Sequence, residues 1–317
     1  MKKIKFVAAL LCMLLLSAGC IHSEPAGKIS SVGMLVPESV SDQVWGTLGY
    51  KGLLNIQSDF GVNVYYKESV LNKQAAARSI EEFERKGVNL VFGNGNHFVD
   101  YFNELAPDYP NIHFVSFNGH ATEKNTTSMS FEGHAMGFFG GMTAAHMSRS
   151  KTIAVIAAYD WQPEIKGFIE GAKYEDPEVN VIVQYTEDWD NAGKALEKLD
   201  AVTGDGADVV YPAGDGFNVP IIESIKTMGL FAIGYVSDQS DLGESTVLTS
   251  TVQHLDKLYE IAAERYAEGK LSSGDLSFGM KEGAITMGKF SPVVDKAFQV
   301  KAEKLINEYK RTGKLPD

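Results

Sequence analysis

The sequence predicts an α/β protein with two lobes, each built on a parallel sheet flanked by helices. Short apolar segments alternate with helical segments about every 30 residues, which is the pattern of successive βαβ units. The alternation starts again near residue 151, and 317 residues is long for one core. Both halves also begin alike, with a strand, a loop that carries a tryptophan, and a helix that contains glycine.

The elements follow from the spacing of apolar residues along the chain. Short apolar runs bounded by turn residues predict strands at 32–36, 62–66, 89–92, 112–117, 152–158, 179–185, 207–211, 231–235 and 246–252. Longer segments between them predict helices at 46–59, 74–86, 98–105, 133–148, 163–174, 192–202, 219–228, 255–268 and 294–309. A further β segment is expected at 278–287.

These elements suggest how the chain divides. We expect a signal peptide at 1–19 and a short polar tether at 20–27. The first lobe is expected to comprise 28–150 with part of 246–290, and the second lobe 151–245 with part of 291–317.

The amino-terminal segment is typical of a secretion signal. Lysines in the first five residues precede an apolar run at 6–16, which is shorter than the about 20 residues of a spanning helix. The run ends at Ser17, Ala18, Gly19 and Cys20, which resembles a bacterial lipoprotein signal although Ser17 stands where such signals usually carry Leu. The resemblance implies cleavage before Cys20 and lipid attachment there. The alternative is an uncleaved or ordinary signal in which Cys20 is incidental.

Charge and cysteine content restrict the partners. The formal net charge of −12 disfavours binding to phosphate backbones, so no direct contact with nucleic acid is expected. Both cysteines, Cys12 and Cys20, precede the folded body, which excludes disulfides and cysteine nucleophiles there. We expect a protein at the cell membrane, anchored in the lipid bilayer through Cys20 and facing outside the cytoplasm.

Motifs for catalysis or cofactor binding are missing from the sequence. The seven histidines form no metal-binding pair, and the acids at 238–241 lack the spacing of a calcium loop. The glycines around Asn94 and Asp215 do not complete G-x-G-x-x-G, because Phe98 and Val219 stand where the third glycine should be. We therefore expect no metal, no cofactor and no enzymatic activity.

Two tryptophans mark a candidate cleft. Trp45 and Trp161 each follow the first strand of a half, and ligands of open α/β sheets bind beyond the carboxyl ends of the strands. The alternative is that each ring only covers the end of its sheet.

Seven stretches carry a resemblance to a known family: 32–37, 108–114, 138–145, 167–174, 208–214, 232–239 and 247–250. In this order they are similar to the basic membrane protein family of lipoproteins, which includes purine nucleoside receptors serving importers. The resemblance implies a two-lobed type I periplasmic-binding fold with a ligand site between the lobes.

Several ligand positions depart from the family pattern. The first loop keeps an aromatic residue, Trp45, but Gly46 replaces an amide, and Asn118 and Val236 stand where the family carries Asp. Gln253 replaces a Lys. Replacing several of these groups at once is expected to abolish or redirect nucleoside binding. The candidate cleft residues are Asp42, Trp45, Asn94, Asn118, Trp161, Asp215, Phe217, Asp238 and Gln253.

The altered pattern resembles a subgroup of the family that regulates competence. The shared stretches are Trp45-Gly46, 133–147, 161–163, 211–220, 235–239 and 249–253. This implies a positive regulator of competence gene expression. Because the body is acidic and expected outside the membrane, we expect it to act on transcription indirectly, through a membrane partner protein or through secretion stress. The alternative is a substrate-binding lipoprotein of a nucleoside-type importer. Either would bind a small molecule whose identity the sequence does not give.

Overall fold

The structure, a computed structural model, describes residues 27–41 and 44–316. Its strands are β1 (Ser31–Leu35), β2 (Asn63–Lys67), β3 (Leu90–Gly93), β4 (His113–Phe117), β5 (Thr126–Phe131), β6 (Thr152–Ala157), β7 (Asn180–Tyr185), β8 (Val209–Ala213), β9 (Phe231–Val236), β10 (Val247–Gln253), β11 (Gly274–Phe278) and β12 (Ile285–Met287). Its α-helices are α1 (Val44–Phe60), α2 (Lys73–Arg85), α3 (Phe98–Leu105), α4 (Gly133–Met147), α5 (Pro163–Glu175), α6 (Ala192–Gly204), α7 (Asn218–Met228), α8 (Leu255–Ala267) and α9 (Lys296–Thr312).

Within the described ranges, the strands form two six-stranded sheets with matching topology. The first sheet has the order β11-β5-β4-β3-β1-β2, and the second has the order β12-β10-β9-β8-β6-β7. Every pairing is parallel except that of β10 with β12, which is antiparallel. The arrangement confirms the predicted two-lobed fold of parallel sheets flanked by helices.

The last third of the chain contributes to both lobes. Strand β11 extends the first sheet and β12 extends the second. Helix α8 packs against α1, where Lys51 Nζ lies 2.7 Å from Asp256 Oδ2. Helix α4 packs against α5 and the strands of the second sheet, although it precedes residue 150. The lobe limits drawn from the sequence stay a prediction.

Helix starts follow local sequence. Asn72, Asn191 and Asp295 each accept a hydrogen bond from a backbone N–H three residues onward, at 2.9 to 3.0 Å, and so cap α2, α6 and α9. Pro163 occupies the first turn of α5. Backbone N–H groups in a first turn have no acceptor within the helix, so the missing N–H of proline costs no hydrogen bond there.

Helices α4 and α5 cross at four glycines: Gly137 and Gly141 on α4, and Gly167 and Gly171 on α5. A Cβ atom on any of them would lie 1.8 to 2.0 Å from a backbone carbonyl oxygen of the other helix. The two backbones are therefore in direct contact, and the crossing has no room for a side chain.

Two features of the β structure differ from expectation. The prediction of one continuous β segment at 278–287 is wrong. β11 ends at Phe278 in the first sheet, and β12 begins at Ile285 in the second sheet. Strand β5 was not predicted. None of the helices among the described residues has the length and apolar character needed to cross a bilayer.

Candidate functional site

A cavity of about 530 Å³ lies between the lobes, at the carboxyl ends of both sheets. Its walls come from equivalent connections: Trp45, in the first turn of α1, follows β1, and Trp161, just before α5, follows β6. Asn94 follows β3, and Asp215 follows β8. The two sheets thus present the same strand ends to one space.

Most of the predicted cleft residues meet in this cavity. They are Trp45, Asn94, Asn118, Trp161, Asp215 and Gln253. Both tryptophans line the cavity, and Trp161 is half exposed. Cys20 and Asp42 lie outside the described residues.

Phe217 and Asp238 do not line the cavity. Phe217 is fully buried in the second lobe. Its ring packs against Gly214 and occupies the space that a Cβ atom there would need. Asp238 accepts hydrogen bonds from the backbone N–H groups of Ser240 (3.2 Å) and Lys289 (3.1 Å). Its carboxylate therefore joins two segments of the second lobe, outside the cavity wall.

In the first lobe, Asn94 holds the first turn of α1 in place. Its Nδ2 donates to the Trp45 carbonyl oxygen (3.2 Å), and its Oδ1 accepts from the buried hydroxyl of Tyr259 (3.0 Å). Tyr259 stacks on Phe92, with ring centroids 4.1 Å apart. The Trp45 ring meets Phe131 edge-on at 5.9 Å. Asn94 is thus committed to positioning the cavity wall.

One hydrogen bond connects the lobes directly at the cavity. The backbone N–H of Trp45 donates to Asp215 Oδ2 at 3.1 Å. Trp45 belongs to the first lobe and Asp215 to the loop after β8 in the second. The bond therefore forms only when the lobes are close together.

In the second lobe, a buried carboxyl group forms part of the wall. Glu164 is 3% exposed, and its Oε1 accepts from the Tyr235 hydroxyl (2.9 Å) and from Gln162 Nε2 (2.8 Å). Burial raises the pKa of Glu164, against the lowering effect of these bonds. Burial and the neighbouring Glu164 carboxyl raise the pKa of Tyr235 well above its usual value. Glu164 was not predicted as a site residue, since a Glu in the first turn of a helix is usually solvated.

Aromatic rings cluster at the edge of the second lobe. Trp161 stacks on Tyr159 with centroids 5.7 Å apart, and Trp189 meets both rings edge-on. Trp189 and Asp190 also line the cavity. Both residues were missed, although a tryptophan shortly after a strand was the signal that identified Trp161.

Two cavity residues have unusual backbone conformations at matching places. Asn118 follows β4 with φ +56°, and Val236 ends β9 with φ +67°. Asn tolerates this left-handed region, but a β-branched residue there is strained. Strain of this kind is concentrated at ligand sites, where the surrounding structure maintains it.

The arrangement is suited to non-covalent binding. The cavity offers aromatic rings, amides and carboxyl groups from both lobes. In the part of the chain that the structure describes, no three His, Cys, Asp or Glu side chains are grouped to hold a metal ion.

Two lobes, matching sheets and a cavity at the strand ends define the bilobal fold of the solute-binding proteins. The chain belongs to the Bmp family, described as ABC transporter substrate-binding protein PnrA-like, whose family model matches residues 29–317.

Its relatives include both regulators and receptors. It is 53% identical over 304 residues to the transcriptional activator protein med of Bacillus subtilis (strain 168), covering 96% of each chain. It is 23% identical to the ABC transporter nucleoside-binding protein BmpA of Lactococcus lactis subsp. cremoris, covering 86% of each. The crystal structure of a transcriptional activator of the comK gene from Bacillus halodurans superposes with a TM-score of 0.85 at 47% identity, over 91% of this chain and 100% of the other.

Proposed function

We propose that this chain is a membrane-anchored, ligand-binding regulator that activates competence gene expression and acts on transcription indirectly. The observation that carries the proposal is the 53% identity to a transcriptional activator over 96% of both chains. The match spans both lobes, so the shared role would belong to the whole bilobal body.

The charge of the chain supports an indirect effect on transcription. A formal net charge of −12 opposes approach to a phosphate backbone, and the acids outnumber the bases by 41 to 29. A signal that exports the body would also separate it from the chromosome. A membrane partner protein would then relay the effect.

The amino-terminal residues support a lipid anchor. The apolar run at 6–16 is followed by small residues and Cys20. Two acyl chains hold a protein firmly at a bilayer, because each buried CH₂ contributes about 0.8 kcal/mol. The acidic body would not bind an anionic lipid surface by itself.

The cavity supports a ligand-dependent, non-enzymatic role. Its volume of about 530 Å³ suits a small molecule, and its walls come from both lobes. The Trp45–Asp215 hydrogen bond would form on closure and so couple an occupied cavity to the outer shape of the molecule.

Complementation tests the regulatory role. The full chain is expressed in a Bacillus subtilis strain that lacks its own med protein, with a reporter of competence gene transcription. We expect reporter activity to return to the level of the parent strain. A chain that accumulates normally but leaves the reporter at the level of the deletion strain would contradict the proposal.

Cys20→Ala tests the anchor, with Cys12→Ala as the matched control within the same segment. We expect Cys20→Ala to shift the protein from the membrane fraction to the medium and to lower reporter activity. Cys12→Ala is expected to leave both unchanged. Full reporter activity from released protein would refute a role that depends on the anchor.

The second candidate function is a substrate-binding lipoprotein of a nucleoside-type importer. The observation in its favour is the 23% identity to a nucleoside-binding protein over 86% of the chain. Uptake of labelled inosine by cells with and without this chain separates the two functions, since only a receptor would change the rate.

A further inference from the structure

The cavity wall offers no positive charge to a ligand. The described residues that line it include neither Lys nor Arg. His97 is the one basic side chain among them, and burial lowers its pKa, so its ring is uncharged at neutral pH. A carboxylate or phosphate on a ligand would lose its water here without gaining a counter-charge. The wall therefore disfavours anions.

The carboxyl groups of the wall are already engaged within the protein. Asp215 Oδ2 accepts a hydrogen bond from the backbone N–H of Trp45 at 3.1 Å. Glu38 and Asp190 each have an interaction within the chain. Glu164 Oε1 accepts two hydrogen bonds, and burial raises the pKa of this carboxyl group, which favours its uncharged form. A cation would compete with these partners and would also lose its own water, so neither sign of charge is favoured.

Aromatic rings from both lobes supply rigid apolar surfaces. Trp161 borders the cavity and is 51% exposed, and Tyr159 covers one face of its ring with 5.7 Å between centroids and 14° between planes. In the first lobe, the Trp45 ring is held edge-on by Phe117 at 6.3 Å and by Phe131 at 5.9 Å. An aromatic ring of a ligand gains free energy by packing on surfaces of this kind.

Val236 adds an apolar part of the wall at a strained backbone position. Its φ is +67°, and the N–H of Ser237 donates to the Tyr235 carbonyl oxygen at 2.8 Å, which closes a three-residue γ-turn around Val236. A γ-turn with positive φ is rare and strained, and a β-branched residue increases the strain. The valine side chain is 2% exposed and borders the cavity. An apolar side chain held there against strain indicates an apolar contact with the ligand.

Much of the hydrogen-bonding capacity of the wall is used within the protein. Both ends of the Asn94 amide are bonded, one to the Trp45 carbonyl oxygen and one to the Tyr259 hydroxyl. Gln162 also uses both ends of its amide within the second lobe. Gln253 keeps more capacity, because its Nε2 makes only a weak contact of 3.9 Å to a methionine sulfur. A ligand with one or two polar groups is therefore satisfied more easily than one with several hydroxyls, each of which costs free energy if it loses water without a partner.

We propose that the cavity selects an uncharged ligand with a flat aromatic ring and few hydroxyl groups, and that Val236 is a specificity-determining residue for this preference. The inference rests on the proposed ligand-binding role and names the chemical class of the ligand. The cavity volume of about 530 Å³ accommodates a ring system with or without an attached sugar. The chemistry of the wall, and not its size, therefore makes the selection.

Binding by the full chain, purified in detergent, tests the class of ligand. Three compounds share an indole ring and differ in charge: tryptophol is neutral, tryptamine is a cation and indole-3-acetate is an anion. Hypoxanthine and inosine share a neutral heterocycle, and only inosine carries a ribose. Titration calorimetry and thermal shift measure binding at neutral pH. We expect tryptophol to bind about tenfold or more tightly than either charged indole, and hypoxanthine to bind about threefold or more tightly than inosine.

Val236→Thr tests the residue, because Thr keeps the branched shape of Val and adds a hydroxyl group to the apolar wall. Val300→Thr on α9 is the matched control, since it makes the same change at an exposed position outside the cavity. We expect tryptophol affinity to fall about three- to tenfold for Val236→Thr and to stay within error for Val300→Thr. Val236→Gly is a second variant. It relieves the strained backbone, so we expect it to stay folded and still to lose affinity for tryptophol.

The outcomes separate this inference from the proposed function. A charged indole that binds as tightly as tryptophol would overturn the assignment of an uncharged ligand. Inosine that binds as tightly as hypoxanthine would overturn the preference for few hydroxyls. Equal losses in Val236→Thr and Val300→Thr, or full affinity in both Val236 variants, would refute the role of Val236. If no compound binds to folded protein, the assignment fails, and reporter complementation then decides separately whether the regulatory role stands.

Discussion

The glycine crossing of α4 and α5 makes a sharp prediction for Gly141→Ala. A Cβ atom at Gly141 would lie 1.9 Å from the carbonyl oxygen of Phe168, whereas ordinary contacts begin at 3.4 Å. Both partners belong to helix backbones, so no rotamer change relieves the overlap. The helices must separate by about 1.5 Å along this direction, or the variant must lose the contact.

The expected cost follows from the geometry. Overpacking a rigid core costs about 1–3 kcal/mol, and a clash between two backbones lies at the upper end. The higher helix propensity of Ala offsets this cost by up to about 1 kcal/mol, because Ala replaces Gly inside a helix. We therefore expect a net loss of about 2–3 kcal/mol in the free energy of unfolding, and a melting temperature lower by roughly 3–5 °C, because the entropy of unfolding is large for a chain of this length.

Gly140→Ala is the control one residue away. Its Cβ would meet Ile233 Cγ2 at 3.4 Å, an ordinary contact, so we expect it to be neutral or stabilising by up to about 1 kcal/mol. Calorimetric melting of the two variants side by side checks both values. Equal melting temperatures for Gly140→Ala and Gly141→Ala would refute the close contact between these helices.

Two further predictions concern pH. Burial raises the pKa of Glu164, so above the unfolded value the folded state holds a proton that the unfolded state has lost, and stability falls as pH rises. The Gln side chain of Glu164→Gln cannot ionise, and its oxygen can still accept hydrogen bonds from Tyr235 and Gln162. We therefore expect the urea midpoint of the variant to rise relative to that of the parent as pH increases above about 4.5. A constant difference between the two midpoints across pH would contradict this. Burial lowers the pKa of His113 from 6.5 to about 4, so its contribution to stability is complete above pH 6.5 and is lost as pH falls toward 4. The Gln side chain of His113→Gln can still form a hydrogen bond with Thr127 Oγ1. We expect the variant to lose less unfolding free energy than the parent between pH 6.5 and about 4. An equal loss in both proteins would show that His113 does not cause it.

The sequence predicted the alternating elements well, because buried parallel strands are continuous apolar runs. Strand β5 escaped detection because it begins with Thr126, Thr127 and Ser128, which are all buried yet polar. Their hydroxyl groups find partners elsewhere in the fold: Thr127 Oγ1 donates to Ser272 O (2.8 Å), and Ser128 Oγ accepts from Gly119 N–H (3.0 Å). A pattern of hydrophobicity cannot reveal a polar strand whose hydrogen bonds are made by distant residues.

The candidate site was only partly predictable for a similar reason. Strand ends and tryptophans indicated Trp45, Trp161 and the loops after β3 and β8, since topology alone brings these together. Glu164 was not found, because its burial depends on how α4 lies against α5. Phe217 stands beside the cavity loop in sequence, but its ring turns into the core, and no local signal distinguishes the two directions.

The most direct test of the account is whether blocking the cavity silences the regulator. Ser130 lines the cavity, and Ser58 is an exposed residue of α1 outside the cavity wall. We predict that Ser130→Trp reaches the membrane in normal amount and leaves the competence reporter at the level of the deletion strain, whereas Ser58→Trp restores full activity. Full reporter activity from a correctly located Ser130→Trp protein would contradict the claim that ligand binding in the cavity drives regulation.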